Sequence, residues 1–146
     1  MRSPKKRNRR STREQRVLAF YDIMPTFCEL AGIDNYVERY TNKNLDVDYF
    51  DGLSFAPTLT GEGKQEKHDF LYWEFHETNM MALRMGDWKF VVQNGNCSLY
   101  DLVTDSHEDT DLSAQYPEIV EEMKAIIKRE HTSSNISQFN SITLPK

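Results

Sequence analysis

Apolar and polar residues alternate most regularly between Phe70 and Leu102. Leu71, Trp73 and Phe75 interleave with Tyr72, Glu74 and His76, the two-residue period of a strand whose faces differ. The run Ala82 to Gln93 is rich in aromatic and β-branched residues and is broken by Gly86-Asp87. That pair suits a two-residue type II′ hairpin, whose first position needs positive φ. Asn94-Gly95 suits a second tight hairpin, with Ser98-Leu-Tyr-Asp-Leu102 as the strand beyond it. The pattern predicts an antiparallel meander of three or four strands. Taking the apolar row as the core face places Leu71, Trp73 and Phe75 inside. Tyr72, Glu74 and His76 are then open to water, a partner domain or a ligand.

Two stretches carry the helical period instead. Ile23, Phe27, Leu30 and Ala31 form a stripe at i, i+4, i+7 and i+8, with Asp22 as candidate N-cap, Pro25 in the first turn and Gly32 as the stop. Such a stripe must dock, and the sheet is the available surface. Pro117 to Arg129 carries Ile119, Val120, Met123, Ile126 and Ile127 on one side, Pro117 and Glu118 in the first turn, and Lys128-Arg129 at the negative end of the dipole. Between these lie a polar loop from Asn35 to Phe50, with a possible helical turn at Val37 to Tyr40, and Asp51 to Gly61. There Asp51-Gly52 makes a turn, Ser54 caps and Phe55 to Leu59 can form a single helical turn. The fold class is α+β: a small antiparallel sheet packed with a C-terminal helix, preceded by a helix and loop.

Composition refines this picture. At 146 residues the chain can bury a core without disulfides or metal, and its mean hydropathy of -0.70 fits a polar surface. Residues 1–16 hold eight Lys/Arg and one Glu, so with -5 overall the other 130 residues carry -12. This arm is expected to be disordered, and the acidic body argues against nucleic acid as its partner. No apolar window of ~18 residues exists to span a membrane. The run Val17 to Met24 holds Asp22 and is too short for a signal-peptide core, so as written the chain carries no export signal and reads as cytoplasmic. Cys28 and Cys97 lie in unlike contexts and read as two unpaired thiols, with Cys28 buried.

The motifs of catalysis are missing. His68, His76, His107 and His131 form no metal-binding pair, and neither a phosphate loop nor a nucleophile elbow is present. Asp101, Asp105, Glu108, Asp109 and Asp111 could suggest calcium, but the ordered glycine and terminal glutamate of an EF-hand are absent. A solvated turn is the favoured reading. Glu74, His76 and Glu77 are the only cluster of titratable groups in an aromatic strand.

Taken in order, Asp22-Ile-Met-Pro-Thr26 with Glu29-Leu-Ala-Gly32, Asp51-Gly-Leu-Ser54 with Pro57, Leu59 and Gly61, Leu71-Tyr-Trp-Glu-Phe-His-Glu77, Ala82-Leu-Arg-Met-Gly-Asp-Trp-Lys89 and Leu99-Tyr-Asp-Leu102 resemble the C-terminal portion of bacterial sulfatases. These form the type I arylsulfatase family of the alkaline-phosphatase-like superfamily. The resemblance runs from about Ala19 to Lys128. It implies a sulfuric-ester hydrolase acting on sulfated carbohydrates or aryl sulfates. In that family a formylglycine made from a Cys/Ser-x-Pro-x-Arg motif attacks sulfur, with calcium beside it, both in a larger N-terminal α/β domain. None of Pro4, Pro25, Pro57, Pro117 and Pro145 stands in such a motif, so the resemblance implies no catalytic residue, metal ligand or cofactor in this chain. The complete enzyme would use calcium and formylglycine and is usually exported, to the periplasm or beyond.

Four segments follow: a basic arm (1–16), the end of the large domain (17–69), the C-terminal subdomain (70–130) and a polar tail (131–146). The implied partners are the missing N-terminal domain and a sulfated carbohydrate. The strand end would lie near the mouth of the cleft, which makes Glu74, His76, Glu77 and Arg84 substrate-binding candidates. Phe27, Leu30 and Phe55 should then be left exposed. The sequence departs from the family at Thr78-Asn79-Met80, where a Gly-rich turn is usual, at Ser106, where Asp-Pro is common, and at Asp111, where Asn is common. The competing expectation is a stand-alone binding or scaffold module with a basic arm.

Overall fold

The structure, a computed structural model, describes residues 16–33, 51–133, 143 and 145. The basic arm up to residue 15, the loop from 35 to 50 with its turn at Val37 to Tyr40, and most of the tail beyond 133 lie outside the described residues. The chain divides into two compact units, with the division between Glu66 and Lys67.

In the first unit a 3-10 turn, Phe20–Asp22, runs into helix α1 (Ile23–Leu30), and a short helix α2 (Ala56–Thr60) follows the second described stretch. Asp22 is fully buried. Its Oδ2 accepts the Ala19 N–H at 2.7 Å and its Oδ1 the Leu53 N–H at 2.8 Å. It makes no capping bond to α1, because it already has helical dihedrals and its side chain points away from the first turn. The expected cap is thus a brace between two segments. Thr26 completes it: its hydroxyl donates to the Asp22 carbonyl at 2.6 Å and accepts the Phe55 N–H at 2.9 Å.

These bonds turn α1 around its axis from the expected orientation. Its buried residues are Pro25, Thr26 and Cys28, while Phe27 is 64% and Leu30 49% exposed. The apolar stripe expected to dock therefore faces solvent. Small and polar side chains let the backbone at 51–56 approach closely, and Gly52 shows how closely: a Cβ there would lie 2.2 Å from the Tyr21 carbonyl oxygen. The expected cap at Ser54 is not the N-cap: Phe55 holds that position without a side-chain bond, and Ser54 Oγ accepts the Ala56 N–H at 3.1 Å in a turn just before α2.

The second unit is a four-stranded antiparallel meander, β1 (Leu71–Phe75), β2 (Met80–Met85), β3 (Trp88–Gln93) and β4 (Asn96–Asp101), in the order of the chain. Helix α3 (Pro117–Glu130) packs on it through Val120, Met123 and Ile127, as the periodicity predicts. A 3-10 turn, His76–Thr78, links β1 to β2 and closes on Asn79 with φ 50°. Gly86 has φ 58° while Asp87 does not enter the positive region, the φ pattern of a type II′ turn; Asn94 at 52° and Gly95 at 80° are both positive, as type I′ requires.

The register reverses the expected assignment of the sheet's faces. Tyr72 pairs with Leu83, Leu83 with Phe90 and Phe90 with Leu99, while Glu74 pairs with Met81, Met81 with Val92 and Val92 with Cys97. Tyr72 and Glu74 thus share the face of the fully buried Met81, Leu83, Phe90, Val92 and Leu99, which α3 covers. Leu71, Trp73 and Phe75 lie on the other face, where Leu71 is buried, as expected, but Trp73 is 41% and Phe75 53% exposed. β1 has apolar bulk on both faces, so its own alternation does not reveal which one is covered; the three other strands decide.

The acidic run builds turns. Asp101 accepts the Val103 N–H and the Thr104 hydroxyl, both at 2.9 Å, and Asp105 accepts the Thr110 N–H at 2.8 Å. Glu108 pairs with Lys89 Nζ at 2.6 Å. Asp111 Oδ1 accepts the N–H groups of Leu99 at 3.0 Å and Ser113 at 2.9 Å, while the Leu112 N–H donates to the Leu99 carbonyl at 2.8 Å. The segment at 111–112 thereby pairs the outer edge of β4, which an open sheet would leave to bond a second chain. Both cysteines are free, Cys28 buried and Cys97 partly so. No helix among the described residues is long and apolar enough to cross a membrane.

Two predictions follow from this packing. Gly52→Ala should destabilise the first unit by about 1–3 kcal/mol, because backbone rather than a flexible side chain must yield; urea denaturation followed by circular dichroism measures it. Partial burial alone would raise the Asp111 carboxyl, but the Ser113 and Leu99 N–H donors hold it below the ordinary 3.8. A carboxyl depressed in the folded state contributes stability above its unfolded value, and that contribution is lost as pH falls through the folded value. Asp111→Asn keeps the Oδ1 acceptor but not the charge, so at pH 7 it should be less stable than the parent. Below pH 3.8 it should lose less stability than the parent does.

Candidate functional site

The titratable cluster of β1 takes its shape from the covered face. Glu74 follows Tyr72 by two residues on an edge strand, at the rim of the apolar surface, where a carboxylate must find donors or remain wet. It finds three. The Tyr72 hydroxyl donates to Oε1, His131 Nδ1 lies 2.8 Å from the same oxygen, and His76 Nε2 lies 3.6 Å from Oε2. The side chains of Glu74 and His131 are only 15% and 14% exposed. Burial, then the hydrogen bond to Glu74, push the Tyr72 phenol well above its ordinary value of 10, so it stays protonated and donates.

His131 arrives from the far end of the unit. It is the C-cap of α3, and its N–H bonds to the Ile127 carbonyl at 2.9 Å. The helix is held at a second point just before β1, where the Arg129 guanidinium stands 5.5 Å from the centre of the Phe70 ring. Sequence reasoning placed His131 in a polar tail. Its 57-residue separation from Glu74 left no local signal, since only the docking of α3 brings the two together.

The four candidate residues do not form one site. Glu74 and His76 are neighbours, and the exposed Glu77 follows in the 3-10 turn His76–Thr78. Arg84 is opposite Leu71, four residue steps from Phe75, a separation of about 13 Å along the strand. It also belongs to the other face of the sheet, and its Nε donates to the Gly86 carbonyl at 3.3 Å. The cluster around Glu74 can therefore present hydrogen-bonding groups to hydroxyls, but it holds no activated nucleophile. Among the described residues no group of three His, Cys, Asp or Glu side chains could hold a metal ion. The carboxylates of Asp101, Asp105 and Asp111 already face N–H and hydroxyl groups, so these residues do not fit a calcium site.

No protein-family model matches the chain. Curated relatives do: arylsulfatase K of Bos taurus is 28% identical over 142 residues, which covers 85% of this chain and 24% of that protein. The Δ4,5-hexuronate-2-O-sulfatase of Bacteroides thetaiotaomicron is 28% identical over 116 residues, covering 73% of this chain and 22% of its own length. The match is to the C-terminal portion of sulfatases. The resemblance read from the five ordered motifs is borne out, and the chain spans about a quarter of the length of the curated sulfatases it matches. The fold agrees. A solved 2-O glycosaminoglycan sulfatase superposes with a TM-score of 0.54 at 22% identity, covering 85% of this chain and 29% of that one.

The Glu74 hub carries a stability prediction. Glu74→Ala strands the Tyr72 hydroxyl and the His131 imidazole and should cost about 1–3 kcal/mol. Glu74→Gln retains an Oε1 acceptor for both donors and should cost less than half as much. Urea midpoints of the two variants at pH 7 test the ordering, and equal midpoints would dismiss the hub.

Proposed function

We propose that the chain is the C-terminal part of a sulfuric-ester hydrolase that acts on sulfated carbohydrates. Similarity to curated sulfatases over 85% of the chain supports this most directly, and the matching relatives include one named for a 2-O-sulfated hexuronate. In this reading residues 17–69 end the large domain and 70–130 form the small one. The formylglycine and the calcium site belong to the part of the enzyme outside these residues, and the complete enzyme is exported. Apolar exposure in the first unit fits a surface built to be covered by the remainder of that large domain: Phe20 is 88%, Phe27 64% and Leu30 49% exposed. The same exposure argues against a stand-alone module.

Within the enzyme, His76 and Glu77 would meet the sugar bearing the sulfate, through hydroxyls. Glu74, held by Tyr72 and His131, would position His76. Arg84, on the other face, would meet a separate part of a longer chain, as a charge partner for sulfate.

The test has two parts. The purified chain should release no sulfate from 4-nitrophenyl sulfate or from a 2-O-sulfated unsaturated disaccharide. A chimaera in which residues 17–130 replace the matching segment of the Bacteroides 2-O-sulfatase should fold and hydrolyse the disaccharide. Turnover by the chain alone, or a folded but inactive chimaera, would refute the proposal. In the chimaera His76→Ala should raise KM severalfold at constant kcat, and unchanged constants would remove His76 from the binding site.

A further inference from the structure

The segment 131–146 reads in sequence as a polar tail, yet Thr143 and Pro145 within it are engaged. Pro145 is fully buried. Thr143 donates its N–H to Asn79 Oδ1 at 2.7 Å, and Asn79 Nδ2 donates back to the Thr143 hydroxyl at 3.1 Å. The Asn79 amide thus grips both the backbone and the side chain of one residue 64 positions away. The same Nδ2 lies 3.2 Å from Asn94 Oδ1 in the β3–β4 turn.

Asn79 is also committed through its main chain. Its N–H bonds to the His76 carbonyl at 3.1 Å, and its own carbonyl accepts the Asn94 N–H at 3.0 Å. Its φ of 50° lies in the left-handed region, which asparagine tolerates better than most residues. Across the turn Gly95 leaves room for the tail: a Cβ there would stand 3.2 Å from Thr143 Cγ2. A side chain at 95 would press on the threonine methyl.

We infer that Thr143 forms a clamp on the sheet end, with Asn79 as its catch, which fixes the His76–Thr78 turn and the Asn94-Gly95 turn together. The catch rests on two exposed hydrogen bonds, each of modest net strength, so it opens without unfolding the sheet. Engagement of Thr143 and order of the turn are therefore linked: whatever releases Thr143 loosens the segment that carries His76 and Glu77. On the reading of the preceding subsection the clamp sets the geometry of the sugar contacts, but its existence can be read without any sugar.

Amide hydrogen exchange of the full chain provides that reading. The Thr143 amide should exchange at least tenfold more slowly than coil in the parent, and Asn79→Gly should return it to the coil rate. Glycine retains the left-handed turn, so only the catch is lost. The same substitution should speed exchange at residues 76–78 several-fold and leave Phe90 and Val92 unchanged. Thr143→Val keeps the N–H and removes only the hydroxyl, so it should give an intermediate rate without risk to folding. Coil-rate exchange at Thr143 in the parent, or unchanged rates at 76–78 when Thr143 is released, would overturn the clamp.

Discussion

Two-residue turns leave a meander no slack in register. With Met85 opposite Trp88 and Gln93 opposite Asn96, every side chain from β2 to β4 is committed to one face, and a slip of one residue would move all of them to the other. The fully buried set Met81, Leu83, Phe90, Val92 and Leu99 follows from that pairing, and with it the single surface on which α3 can bury Val120, Met123 and Ile127. At about 1.5–3 kcal/mol for each large apolar side chain fully buried, this contact outweighs any polar interaction in the unit. The polar residues fit around it.

Glu74 shows how. Register places it on the covered face but at the edge, where α3 ends, so the carboxylate is largely withdrawn from water and surrounded by Tyr72, His131 and His76. A buried acceptor deprived of its donors costs more than its bonds contribute, so the hub specifies where α3 ends over β1 rather than adding much net stability. Asp111 performs the matching task at the opposite edge, where its carboxylate and the Leu112 N–H occupy both backbone groups of Leu99. The same carboxylates that look like a metal loop in sequence are used as turn and edge acceptors.

The first unit is organised by the opposite kind of contact. Its buried core is small and polar, with the Asp22 carboxylate and the Thr26 hydroxyl bonded to the backbone of Leu53 and Phe55. The large apolar residues Phe27 and Leu30 of α1 stay outside.

The sequence by itself determined the strands, their turns and the terminal helix. These depend on neighbours in the chain: positive φ at Asn94-Gly95, alternation along β2 and β3, and the 3.6-residue period of Ile119 to Ile127. It also carried enough ordered motifs to reveal the sulfatase resemblance. Only the tertiary structure decided which face of β1 is covered, because Trp73 and Tyr72 offer comparable apolar surface and the choice belongs to Leu83 and Phe90. The same holds for the turning of α1, where an apolar stripe gives way to the Asp22 brace. It holds again for His131 at Glu74 and Thr143 at Asn79, since pairings 57 and 64 residues apart leave no periodic trace and exist only once the helix and Thr143 are in place.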